Sequence, residues 1–167
     1  MREMNWYAVY VKSRHEFLVT GELRKKGIET LLPSVTRLNQ WKDRKKQVEV
    51  PLFPGYLFVA IAPEPEEFLK VIKTQGTVTF VSLTPGHPTP VAPEEMESLR
   101  ILLRSGETID VYPHLQEGTP VRVTKGALRG ARGILQRKHG QHVFFVSLDL
   151  LGRSVAVRVF ADDVEAA

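Results

Sequence analysis

The residues with the widest chemical reach are few. The chain has five histidines, His15, His87, His114, His139 and His142, and no cysteine. Without cysteine there are no disulfides and no thiolate metal sites, which fits a reducing compartment. None of the histidines stands in an H-E-x-x-H arrangement or beside a nucleophile motif. His139 and His142 straddle Gly140 in a turn and could touch a metal ion, although a lone pair of turn histidines is more often solvated. Carboxylates gather at Glu64, Glu66 and Glu67, and again at Glu94, Glu95 and Glu97, at the starts of two expected helices. The helix dipole accounts for acidic residues there without acid–base catalysis. No G-x-S-x-G, phosphate-binding P-loop or dinucleotide glycine fingerprint occurs. The sequence therefore predicts a protein that binds rather than an enzyme, with no cofactor and no metal.

Three surfaces invite binding. The first is the stretch "VPLFPGYLFV" at 50–59 with the following "AIA", which is apolar on both strand faces where a half-buried strand would alternate. Either helices cover both faces, or an aromatic patch is left for a partner. The second is a basic set, Lys12, Arg14, Arg24 and Lys25, joined by the charged turn "KDRKK" at 42–46. Such groups contact nucleic-acid phosphates or simply keep a surface solvated. The third is "GTPVRVTKGALRGARGILQRK" at 118–138, where Leu128 sits between Gly126 and Gly130 at a loop tip. It either meets a partner or folds back to plug the end of its own core. Charge is segregated in the same sense. Residues 1–50 hold 11 Lys/Arg against 6 Asp/Glu, residues 51–113 hold 4 against 8, and residues 114–167 hold 8 against 5. Two basic ends flank an acidic middle, so a polyanion would meet particular surfaces.

The elements that must position these residues can be read from periodicity. "WYAVYVK" (6–12) predicts a strand, and "SRHE" after it has the form of a capping box, with Ser13 and Glu16 exchanging hydrogen bonds at the start of a helix to Lys26. Gly27 ends that helix. Strand patterns follow over 28–41, broken at Pro33, and over 47–53. Pro54-Gly55 bends the chain before the strand 56–62. A helix opens at Pro63–Pro65 and runs to Lys73, "VTFVSL" (78–83) is a strand, and 93–106 is a third helix. From Gly106 the helical pattern stops. Residues 106–117 read as a linker, and 118–167 hold only short strands and turns, a small β-barrel. The sequence thus predicts an α+β sandwich over 1–105, a linker over 106–117 and the barrel over 118–167. The N-terminus lacks the apolar run of a signal peptide or membrane span, so a soluble, cytoplasmic monomer is expected.

The ordered set "WYAVYVKSRHE", "LFPGYLFV", "VTFVS…P" and G-x-x-V-R-V-x-x-G-x-L-x-G-x-x-G resembles the NusG family of transcription elongation factors, from Trp6 to about Val164. In that resemblance 1–105 is the NusG N-terminal domain and 118–167 a KOW domain. "DLLGRSVAVRV" is similar to the specialised paralogues, RfaH and the antiterminators of polysaccharide operons; Gly55 departs from RfaH, which has Asn there. The resemblance implies binding to RNA polymerase, suppressing pausing or termination. The clamp helices of its largest subunit would meet Tyr10, Phe53, Tyr56, Phe58 and Leu83, where RfaH has an aromatic. It also implies that the non-template DNA strand lies along Lys12, Arg14, Arg24 and Lys25, with a base near Thr74 and Gln75. RfaH has Arg at the position of Gln75. The KOW domain would recruit a small-subunit ribosomal protein or Rho through Lys125, Leu128 and Arg129. In RfaH this domain can refold as a helical hairpin, whereas the β-branched residues and glycines here predict strands. A ribosome-associated or RNA-binding KOW protein is the alternative.

Overall fold

The structure, a computed structural model, describes residues 3–41, 44–113 and 118–167, and side chains outside 39–45. The chain divides into two compact units, Met1–Pro90 and Val91–Ala167. That boundary precedes the third helix, whereas the sequence pattern places it after residue 105.

In the first unit β1 (Asn5–Val11) is followed by α1 (Glu16–Lys25), β2 (Glu29–Leu31), the hairpin β3 (Ser34–Trp41) and β4 (Arg44–Pro51), β5 (Tyr56–Ile61), α2 (Pro65–Ile72) and β6 (Thr77–Phe80). A four-stranded sheet has the order β2-β5-β1-β6, and its three pairings are antiparallel. Tyr7, Val9 and Val11 of β1, with Leu57, Val59 and Ile61 of β5, form one core with Val19 and Leu23 of α1 and Val71 of α2. Tyr7, Phe68 and Phe80 meet there edge to face, with centroids 5.2 to 6.0 Å apart.

The opposite face of β5 is covered as well. Phe58, flanked across the sheet by Ala8 and Leu31, is only 1% exposed, and Ala60 is buried beside it. Of the two alternatives for this strand, the covered face is the one seen at Phe58 and Ala60.

Two local expectations change. The helix start has no side-chain cap: His15 occupies that position, and Glu16 points elsewhere. The helix end follows the sequence. Gly27 at φ 78° closes it, its N–H donating to the Arg24 carbonyl and the Ile28 N–H to the Leu23 carbonyl, the two bonds of a Schellman motif. Of the charged turn, residues 42–43 lie outside the described residues, as do the Arg44 and Lys45 side chains.

The second unit begins with α3 (Pro93–Arg104), then β7 (Asp110–Pro113), β8 (Thr119–Val123), β9 (Arg132–Lys138), β10 (Gln141–Leu148), β11 (Arg153–Val159) and β12 (Val164–Ala166). The six strands form one antiparallel sheet in the order β12-β8-β9-β10-β11-β7. This order has two ends, so the expected closed barrel is observed as an open ladder of strands. Four of the twelve residues of the expected linker form a strand. β7 pairs with β11, and Tyr112 stacks edge to face on Phe145 at 5.6 Å, with the Lys138 ammonium 4.9 Å over its ring. Local periodicity could not show this, because a four-residue edge strand is selected by its partner. His114 lies outside the described residues. Gly133 has a different use from a turn glycine: a Cβ there would lie 2.1 Å from the Phe145 carbonyl oxygen, so only hydrogen lets β9 approach β10.

α3 packs on the same sheet. The Arg132 N–H donates to the Ser98 hydroxyl at 2.9 Å, and the Asp149 N–H donates to the Glu95 carboxylate at 3.3 Å. No helix among the described residues is long and apolar enough to cross a membrane.

Candidate functional site

Three segments converge where β1 ends. Residues 53–56 form a turn with proline second and glycine third, closed by the Tyr56 N–H donating to the Phe53 carbonyl at 3.0 Å. With Gly55 at φ 88° this is the type II pattern, which places Gly where an L side chain is strained. A Cβ at Gly55 would also lie 3.2 Å from the Tyr10 ring. The turn is clipped to β1 by the Val11 N–H donating to the Gly55 carbonyl at 2.8 Å. Tyr10 and Tyr56 are register partners, and their rings stack at 5.4 Å and 57°. Tyr10 is 42% exposed and Tyr56 half-buried.

Immediately after this pair the chain reverses. Arg14 adopts φ 66°, uncommon for a residue with a side chain, and Lys12 and Arg14 stand exposed on the reversal. The Lys12 N–H donates to the Gly76 carbonyl at 2.8 Å, which brings the turn after α2 alongside, with Gln75 exposed on it. An aromatic pair and a polar, basic edge therefore lie side by side. Aromatic groups of this kind anchor protein interfaces, and cations with an amide suit a phosphate backbone and a base edge.

The other expected residues fall differently. Phe53 and Phe58 are buried, at 3% and 1% exposed, so they pack rather than project. Leu83 is 78% exposed on the loop after β6. Arg24 and Lys25 sit in the last turn of α1, away from Lys12 and Arg14. Arg24 donates to the Thr30 carbonyl at 3.1 Å and Lys25 to Glu22 at 3.1 Å. Thr74 is buried, and its hydroxyl is engaged twice, donating to the Lys70 carbonyl at 2.9 Å and accepting from the Lys26 ammonium at 2.8 Å. The resemblance places Thr74 near a base; in the fold its hydroxyl is engaged by the chain itself. Sequence reasoning missed Lys26, whose ammonium donates to the Lys70 carbonyl at the C-terminal end of α2 across 44 positions, because no local pattern signals such a contact.

In the second unit Lys125 and Arg129 are exposed, but Leu128 is only 6% exposed, so the fold-back alternative holds. The Gly130 N–H donates to the Val123 carbonyl at 2.9 Å and the Ala131 N–H to the Leu128 carbonyl at 3.0 Å, curling the loop inward. One carboxyl stands out chemically. Burial, and then the neighbouring Asp149 charge, push Glu95 up from 4.5 to about 7.

A family model described as transcription termination factor NusG matches residues 4–100, more than half of the chain. The chain belongs to the NusG family. Among curated NusG-family relatives, the transcription termination/antitermination protein NusG of Staphylococcus epidermidis is 31% identical, covering 96% of this chain and 94% of its own. That of Halalkalibacterium halodurans is 25% identical over 98% of both chains. A solved structure described as domain interaction in Thermotoga maritima NusG is 22% identical with a TM-score of 0.54, covering 98% of this chain and 97% of that one, a likeness of fold. The matched segment of the NusG family contains β1, the 53–56 turn and the Gln75 turn, so the whole candidate surface lies within it.

Proposed function

We propose that this chain is a transcription elongation factor of the specialised, antiterminating kind, which binds RNA polymerase and suppresses pausing or termination without chemistry of its own. The single observation that carries the reading is the exposed Tyr10–Tyr56 pair beside Lys12, Arg14 and Gln75, inside the segment matched by the family model. Tyr10, Tyr56 and Leu83 would meet the clamp helices of the largest subunit, while buried Phe53 and Phe58 support the surface from below. Lys12 and Arg14 would lie along phosphates of the non-template strand and Gln75 near a base. Tighter binding to the unpaused form of the polymerase would favour that form by differential affinity alone. Residues 118–167 serve as a KOW domain offering Lys125 and Arg129 to a small-subunit ribosomal protein or Rho, and the protein works in the cytoplasm as a monomer.

The test is pausing by purified elongation complexes, with and without the chain, in the absence of ribosomes. Shorter-lived pauses in the presence of the chain support the reading. Binding to ribosomes or RNA with no affinity for polymerase would instead establish the ribosome-associated role.

A further inference from the structure

Glu16 is a buried carboxylate that its own helix does not use. It is 6% exposed, it makes no cap, and its Oε2 accepts the Gly55 N–H at 3.0 Å across 39 positions of sequence. Both backbone polar groups of Gly55 are thereby committed, the N–H to α1 and the carbonyl to the Val11 N–H of β1. The neighbouring flank of the same helix start, His15 and Val19, receives the Gln75 turn. A Cβ on Gly76 would lie 2.7 Å from Val19 Cγ2 and 3.4 Å from His15 Cβ, so this turn is seated directly on α1. The first turn of α1 is thus a common footing for the tyrosine turn and for the turn that carries Gln75.

The chemistry explains why a carboxylate stands there. Type I and type II turns differ by a flip of the central peptide, and here that peptide's N–H belongs to Gly55. An acceptor placed beneath it selects one orientation, and a charged acceptor does so about twice as strongly as a neutral one. We propose that Glu16 is a positioning residue: its hydrogen bond to the Gly55 amide holds the 53–56 turn in the type II form and so sets the Tyr10–Tyr56 pair relative to the Lys12, Arg14 and Gln75 edge. The role rests on the polymerase reading above.

Two variants of the full chain separate the effects. Glu16→Asp keeps charge at the helix start but withdraws the oxygen by one methylene, and Glu16→Gln keeps an acceptor of full length. The Gly55 amide is followed by NMR shift and hydrogen exchange, and polymerase affinity is measured alongside thermal unfolding. Glu16→Asp should move the Gly55 amide signal, speed its exchange and weaken polymerase binding, each rate or affinity on the order of tenfold. Glu16→Gln should stay within about threefold of wild type in both. An unchanged Gly55 amide in Glu16→Asp would overturn the proposal, as would a folded Glu16→Gln that loses binding as fully as Glu16→Asp. If the amide shifts and affinity does not, while Tyr10→Ala/Tyr56→Ala weakens binding, the positioning role is overturned and the polymerase reading stands. If that tyrosine variant also binds normally, the polymerase reading itself fails and takes this role with it.

Discussion

Replacing Tyr10 and Tyr56 with alanine should separate binding from folding, and Phe58→Ala should do the reverse. Tyr10 is 42% exposed and its main described ring contact is Tyr56 at 5.4 Å. Removing one such aromatic pair costs roughly 0.5–1.5 kcal/mol beyond lost area, so the double variant should stay folded against a typical stability of about 5–15 kcal/mol. At an interface centre, aromatic anchors contribute about 2 kcal/mol or more each. One lost anchor then weakens binding roughly thirtyfold, and the pair by about a thousandfold if their effects add. Phe58, 1% exposed between Ala8 and Leu31, belongs to packing instead. Its truncation should cost about 3–5 kcal/mol of stability. The assay is titration of purified RNA polymerase with labelled chain, paired with urea unfolding of each variant. Wild-type affinity in a folded Tyr10→Ala/Tyr56→Ala variant would refute the reasoning. So would a Phe58→Ala variant of unchanged stability, because the buried face would then be dispensable.

Lys12→Ala and Arg14→Ala should each lower the salt slope of recruitment to elongation complexes by roughly 0.7, whereas Gln75→Ala should change which non-template sequence is preferred at nearly constant slope. Thr74→Val should weaken the fold slightly through its lost bonds to Lys70 and Lys26 and leave sequence preference alone, as thermal unfolding and the same recruitment assay would show. In the second unit, Glu95 is raised from 4.5 to about 7, so its share of α3 attachment is fully present below pH 4.5 and is lost as pH rises through 7; Glu95→Gln should flatten that part of the stability–pH curve measured by thermal unfolding. A fragment beginning at Val91 should unfold at higher temperature than one beginning at Gly118, since only the former keeps α3 and β7 on the sheet.

The sequence by itself determined the β-branched and aromatic runs that make β1 and β5 strands, the proline starts of α2 and α3, the glycine stop of α1 and the Pro54-Gly55 bend, because each depends on backbone preferences within a few residues. The ordered motifs also carried the family. Which face of a strand is covered is another kind of question. Phe58 and Tyr56 stand two residues apart on the same side of β5, and what separates a buried ring from a half-exposed one is the neighbouring strand: Ala8 and Leu31 beside the first, Tyr10 and the end of the sheet beside the second. Thr74 and Gln75 are adjacent, yet the Lys26 ammonium reaches across 48 positions to occupy one and not the other. Glu16 looked like a partner for Ser13 three residues away, and the fold gave it to Gly55 instead, since a buried amide without an acceptor costs more than a solvent-exposed helix start without a cap. Local rules choose the conformation of each segment. Only tertiary packing decides which polar groups lose water, and therefore which of them must find one another.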